Sequence, residues 1–175
     1  NVTNMSSLFN QCLTFNQDVS NWDVSNVNIM TSLFFGCEKF NKDISSWDVS
    51  NVTYMADMFG NTNDFNQDIS GWNVSNVEDM SSMFAGSQNF QQNISSWDVS
   101  NVKNMRYMFW VSKYNQDISA WDVSNVTNMH LMFYNNKSFN QDISGWNVNN
   151  VKNCSGFSGL SILDPDFKPK FPAGC

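Results

Sequence analysis

Tryptophan recurs at Trp22, Trp47, Trp72, Trp97, Trp121 and Trp146, at a spacing of 25 residues broken by one step of 24. A fixed period in this range commits the chain to stacking one small unit on copies of itself. The unit is clearest from 65 to 84, F-N-Q-D-I-S-G-W-N-V-S-N-V-E-D-M-S-S-M-F. The divisions are 1–25, 26–50, 51–75, 76–100, 101–124 and 125–149, with a degenerate seventh unit from Asn150. Residues 1–153 therefore read as six solenoid repeats plus the start of a seventh, and 154–175 as a C-terminal capping tail.

Each unit has Val at its second position, Met three later, Leu or Met three after that, and then Phe. In the third unit these are Val52, Met55, Met58 and Phe59. Apolar residues at i, i+3, i+6 and i+7 form one helical face. Ser or Asn precedes most of these runs, and Ser75-Asn76-Val77-Glu78 reads as a capping box. The pattern predicts a short helix of two to three turns per unit. After a variable stretch comes an anchor aromatic (Phe15, Phe40, Phe65, Phe90, Tyr114, Phe139), then N-Q-D-I-S-x-W-D-V-S. Alternation such as Trp47 and Val49 predicts a short strand, with a bend or bulge between Ile44 and Trp47. The fold expected is an α/β repeat solenoid with one strand and one helix per rung.

Stacking is energetically compulsory. A unit offers about eight inward apolar residues, each contributing roughly 1.5–3 kcal/mol when buried. Fixing the backbone costs roughly 1–2 kcal/mol per residue. A lone unit stays unfolded, whereas neighbours supply the missing contacts.

The combination N-V-x-x-M-x-x-M-F and F-N-Q-D-I-S-x-W-D-V-S resembles the BspA-type leucine-rich repeat, over residues 1 to about 153. The resemblance implies a right-handed, leucine-rich-repeat-like stack. It also implies surface or secreted proteins of bacteria and unicellular eukaryotes, associated with adhesion and contact with host or matrix. It brings no catalytic residues. The last unit departs from the pattern at 152–157, where the strand half is lost.

Two columns of aspartate run up the repeats. One is Asp18, Asp43, Asp68, Asp117 and Asp142, interrupted by Asn93; the other is Asp23, Asp48, Asp98 and Asp122, interrupted by Asn73 and Asn147. Calcium bridging between rungs is one reading. Asx turns to local backbone N–H groups are the other, and the asparagine replacements favour it. No metal or other cofactor is expected. An unbroken column of Asn1, Asn26, Asn51, Asn76, Asn101, Asn125 and Asn150 is expected to be buried and to close turns from rung to rung. Several asparagines open glycosylation sequons, and Asn136, in a variable stretch, is the favoured acceptor. Four cysteines allow three pairings. Cys12 with Cys37 and Cys154 with Cys175 are the expected ones, the first pair lying at one position on adjacent rungs.

Net charge is −7 and the isoelectric point about 4.3, which disfavours nucleic acid and anionic membrane surfaces. No apolar run is long enough to insert in a bilayer. Asn and Ser abundance fits an extracellular protein, and the opening in phase with the repeat suggests an excised or mature segment. His130 is the only histidine and is expected on an outward, solvated position. With no catalytic constellation, no enzyme activity is expected. The departures from the repeat are more informative. Phe35, Trp110 and Tyr134 share one position after the helix-end Phe, Tyr107 lies one turn before Trp110, and the single deletion follows at once. Aromatics on a polar surface suit a protein or glycan ligand. Ligand recognition in adhesion is the first functional expectation. Self-association into a filament or surface layer is the second, head to tail, with 158–175 against an uncapped first repeat.

Overall fold

The computed structural model describes residues 2–175. Asn1, first of the asparagine column and of an N-V-T sequon, lies outside the described residues. Successive repeats stack as rungs joined by a continuous column of parallel β-bridges: Asn4, Ile29, Tyr54, Asp79, Asn104, Asn128 and Asn153.

The expected strand-and-helix rung is overturned. Among the described residues there is no α-helix and no extended strand, and the one helical element is a 3-10 turn, Pro165–Phe167. Each rung is instead a chain of overlapping tight turns. In the second rung the N–H groups of Leu33, Phe35 and Cys37 donate to the carbonyls of Met30, Ser32 and Phe34. The intervening N–H groups of Met30, Ser32, Phe34 and Gly36 donate forward to Tyr54, Ala56, Met58 and Gly60 on the next rung. Alternate amides thus close the turn and bind the neighbour, so the buried backbone is satisfied without regular secondary structure.

A helix is excluded because the backbone enters the left-handed region twice per rung. Ser32 (φ 54°) and Gly36 (φ 70°) do so, as do Asp57 and Asn61 in the following rung. Left-handed residues break an α-helix but let consecutive turns face the next rung. The i, i+3, i+6, i+7 pattern is common to both solutions: Val52, Met55, Met58 and Phe59 are all buried. Glu78 forms no capping box and instead pairs with Lys103 on the next rung at 2.7 Å. The Trp and Val positions are also turns, with Trp47 N–H donating to Ile44 C=O at 3.1 Å.

The core is a set of side-chain columns. Phe34 and Phe40 stack within a rung with centroids 3.9 Å apart, and Phe34 and Phe59 stack between rungs at 5.9 Å. Each buried tryptophan donates backward through Nε1, Trp72 to Ile44 C=O and Trp97 to Ile69 C=O, both at 3.1 Å. The degenerate unit continues the stack further than its sequence suggests, because Leu131, Phe133 and Asn135 donate to Ser155, Phe157 and Gly159. The tail then folds back, with Ile143 N–H donating to Phe167 C=O and Phe171 packing edge-on against Phe157.

Val111 occupies the left-handed position (φ 53°) that Gln11, Gly36, Asn61, Gly86, Asn135 and Leu160 hold elsewhere. A β-branched residue there is disfavoured, whereas asparagine tolerates it. Val111→Asn is therefore expected to raise stability by about 1 kcal/mol, read as a higher urea midpoint with unchanged slope. A lower midpoint would contradict the strain assignment.

Candidate functional site

The four aromatic departures converge. Phe35, Tyr107, Trp110 and Tyr134 line one groove of about 600 Å³ together with Asp57, Asn61, Ser82, Ala85 and Leu131. Its size falls in the range of small-ligand sites. The repeat creates it by substitution at two positions. At the outer position, Phe35 and the pair Trp110 and Tyr134 flank Gly60 and Ala85, so two rungs without bulk open a gap between aromatic walls. Phe35 leans into that gap: a Cβ on Gly60 would come 2.9 Å from its ring. Tyr134 leans in the same direction along the stack, over Gly159 on the following rung and so away from the gap. Trp110 keeps about a third of its surface exposed.

The inner position is left-handed in every rung described and holds Ser7, Ser32, Asp57, Ser82, Tyr107, Leu131 and Gly156. Bulky residues in this conformation are costly, and such strain clusters at ligand clamps. Tyr107 is held from several sides. The Arg106 guanidinium lies 4.5 Å above its ring, and Trp110 and His130 meet it edge-on. His130 is not simply solvated: Nδ1 and Ser155 Oγ are 2.6 Å apart, and Nε2 lies 3.4 Å from the Tyr107 hydroxyl. Burial pushes the Asp57 carboxyl up, against an opposing hydrogen bond from Ser82; Asp79 raises it further and Arg106 lowers it.

The other candidates fall elsewhere. Asp43 and Asp68 accept from the N–H groups of Ser45 and Ser70 at 2.9 Å, and Asp48 accepts from Ser50 N–H at 3.1 Å. Asn93 accepts from Ser95 N–H at 3.0 Å in the same way, so the columns are Asx turns. Among the described residues no cluster of His, Cys, Asp and Glu is arranged to hold a metal ion. A chelator is expected to leave the melting temperature unchanged; a fall of several degrees would establish bridging cations. The serine bonds hold these carboxyls below their usual range, Asp68 and Asp98 among them. A folded pKa below the unfolded one adds stability above the unfolded value, lost as pH falls through the folded one. Thermal stability should accordingly decline below about pH 4, and a flat profile from pH 5 to 2 would contradict it.

The asparagine column is exposed rather than buried, yet it does bridge rungs. Asn51 and Asn76 donate through Nδ2 to Ser25 C=O and Ser50 C=O at 2.8 Å. Asn136 is fully buried and cannot serve as the glycosylation acceptor expected of it. Its Nδ2 donates to Ser112 Oγ and Tyr114 C=O, each at 3.1 Å, and its Oδ1 accepts from the N–H groups of Ser138 and Phe139. It fills the gap left by the one-residue deletion between Ser112 and Tyr114.

Cys154 and Cys175 are disulfide-bonded, tying the tail to the last rung. Cys12 and Cys37 are not bonded: Cys12 is exposed and Cys37 buried. Cys37 Sγ donates to Phe9 C=O at 3.0 Å, the task that Thr62 and Ser87 hydroxyls perform toward Phe34 and Phe59. Burial, with a smaller effect from Cys12, pushes the Cys37 thiol up to about 11. Its column is one of small hydrogen-bonding residues, which the register C-C-T-S-S-N at 12, 37, 62, 87, 112 and 136 carried all along.

A family model described as "Mycoplasma protein of unknown function, DUF285" matches the chain over residues 1–96 and again over 67–163. No curated protein and no solved structure matches it.

Proposed function

Because this chain belongs to the DUF285 family, we propose that it is a non-enzymatic recognition module of a cell surface, of the BspA-like kind, binding a protein or glycan through the aromatic groove. The carrying observation is the placement of Tyr107 and Leu131. Both are bulky residues at a left-handed position that serine serves in other rungs, and both line the groove. A position chosen for stability alone would favour a small or polar residue there. Both side chains contribute to a surface rich in Trp and Tyr, the residues that dominate recognition energetics. The repeat family and the Cys154–Cys175 bond fit an extracellular setting, since disulfides persist in oxidising compartments. No helix among the described residues is long and apolar enough to cross a membrane.

The test is capture on an array of matrix proteins and glycans by the parent and by a Tyr107→Ser/Trp110→Ala double variant. Position 107 then carries the serine of other rungs, so folding is preserved. The parent is expected to bind at least one array component and the variant to lose it, with equal circular dichroism. Indistinguishable binding by the two proteins would remove the groove from the function.

A further inference from the structure

Resting on that recognition reading, we infer that the groove seats a cationic side chain, lysine or arginine, presented by a partner protein, with Asp57 as its counter-ion between walls of Phe35 and Trp110. Asp57 is the only ionisable carboxylate lining the groove. It occupies a position where the rungs on either side carry Ser32 and Ser82, so the backbone does not require a carboxylate there. A partly desolvated carboxylate is costly unless paired. Among the described residues the ion pairs are Lys39 with Asp64 and Lys103 with Glu78, and Asp57 has none. Ser82 gives it a neutral hydrogen bond, and Arg106 acts on it only through its field, its guanidinium lying over the Tyr107 ring.

The remaining surfaces agree. Aromatic faces attract ammonium and guanidinium groups, and more strongly where water is thinned. Arg106 over Tyr107 is an example within this molecule. The gap above Gly60 and Ala85 is lined by Phe35 on one side and by Trp110 and Tyr134 on the other, and Asp57 lines it as well. That arrangement combines a carboxylate with aromatic walls, the two features that favour a cation over a neutral group. The chain's charge of −7, including columns of exposed aspartate, draws basic partners toward it at low salt. A neutral sugar would stack on the same rings but would leave the Asp57 charge unpaired.

The probe is an acetylated, amidated Gly-Ala-Lys-Ala-Gly peptide, compared with its norleucine analogue and with cellobiose, titrated into the full chain. Indole and phenol side-chain NMR signals of Trp110, Tyr107 and Tyr134 report binding. The lysine peptide is expected to shift these signals and the norleucine peptide to bind at least tenfold more weakly. Asp57→Asn should weaken the lysine peptide at least tenfold while folding normally, because asparagine tolerates the left-handed backbone. Asp43→Asn, on an exposed column, should change nothing. Equal affinity for the norleucine peptide, or equal losses from Asp43→Asn and Asp57→Asn, would overturn the cationic occupant. Cellobiose binding in the groove more tightly than the lysine peptide would also overturn it, yet leave the recognition reading standing. Silence from all three probes would overturn the cationic occupant, and the array experiment would then decide the recognition reading by itself.

Discussion

Replacing Trp72 with alanine is expected to cost the stack about 3–5 kcal/mol, the usual toll of deleting a buried indole. Trp72 is 4% exposed and its Nε1 donates to Ile44 C=O on the preceding rung. That carbonyl also accepts the Trp47 N–H, so it keeps a partner after the substitution. The loss is therefore mostly cavity and lost apolar contact rather than an orphaned acceptor. In a linear array the damage spreads through nearest-neighbour interfaces, so the urea transition should broaden as well as shift. A loss under about 1 kcal/mol would place the tryptophan column outside the core.

Asn136→Leu should be nearly as damaging, at about 4 kcal/mol, for a different physical reason. Leucine fills the volume but orphans the N–H groups of Ser138 and Phe139 and withdraws a donor from Tyr114 C=O. Each buried polar group left unpaired costs about 1–3 kcal/mol. Thermal melting measures the effect, and intact mass of protein secreted from a eukaryotic host tests the companion point. No glycan should be found on Asn136. A glycan there, or a variant melting within a degree of the parent, would mean that this stretch opens in solution.

The sequence carried the period, the inward residues and the convergence of the aromatics, because all three depend only on register. Phe35, Tyr107, Trp110 and Tyr134 were picked out as departures from a repeat, and stacking necessarily brings like positions together. The type of local structure was not legible by the same route. Apolar spacing at Val52, Met55, Met58 and Phe59 is satisfied by a helix or by overlapping turns, and both bury the same side chains. The discriminating signal is the recurrence of Gly36, Asn61, Gly86 and Asn135, residues that favour the left-handed region, at one register, and Gln11, Val111 and Leu160 at the same register obscure it. Asp57 carries no signal in the sequence, because one carboxylate in place of serine looks like ordinary surface variation. Only the groove above it gives that carboxylate a role. The sequon at Asn136 says nothing of its burial, and the deletion that the side chain compensates lies on the neighbouring rung.

The alternating direction of donation has an electrical consequence. Four amides per rung, such as those of Met55, Asp57, Phe59 and Asn61, donate toward the next rung. The indole of Trp72, the amide of Asn76 and the hydroxyl of Thr62 donate toward the preceding one. In an α-helix all peptide dipoles align and accumulate as partial charges at the ends. Here the four forward peptides also align, since Tyr54 C=O accepts from Met30 on the preceding rung while Met55 N–H donates to Asp79 on the next, and the backward donors oppose them only in part. Each rung therefore has two unlike faces along this column, carbonyl acceptors toward one neighbour and N–H donors toward the other, so rungs can add in one polarity only.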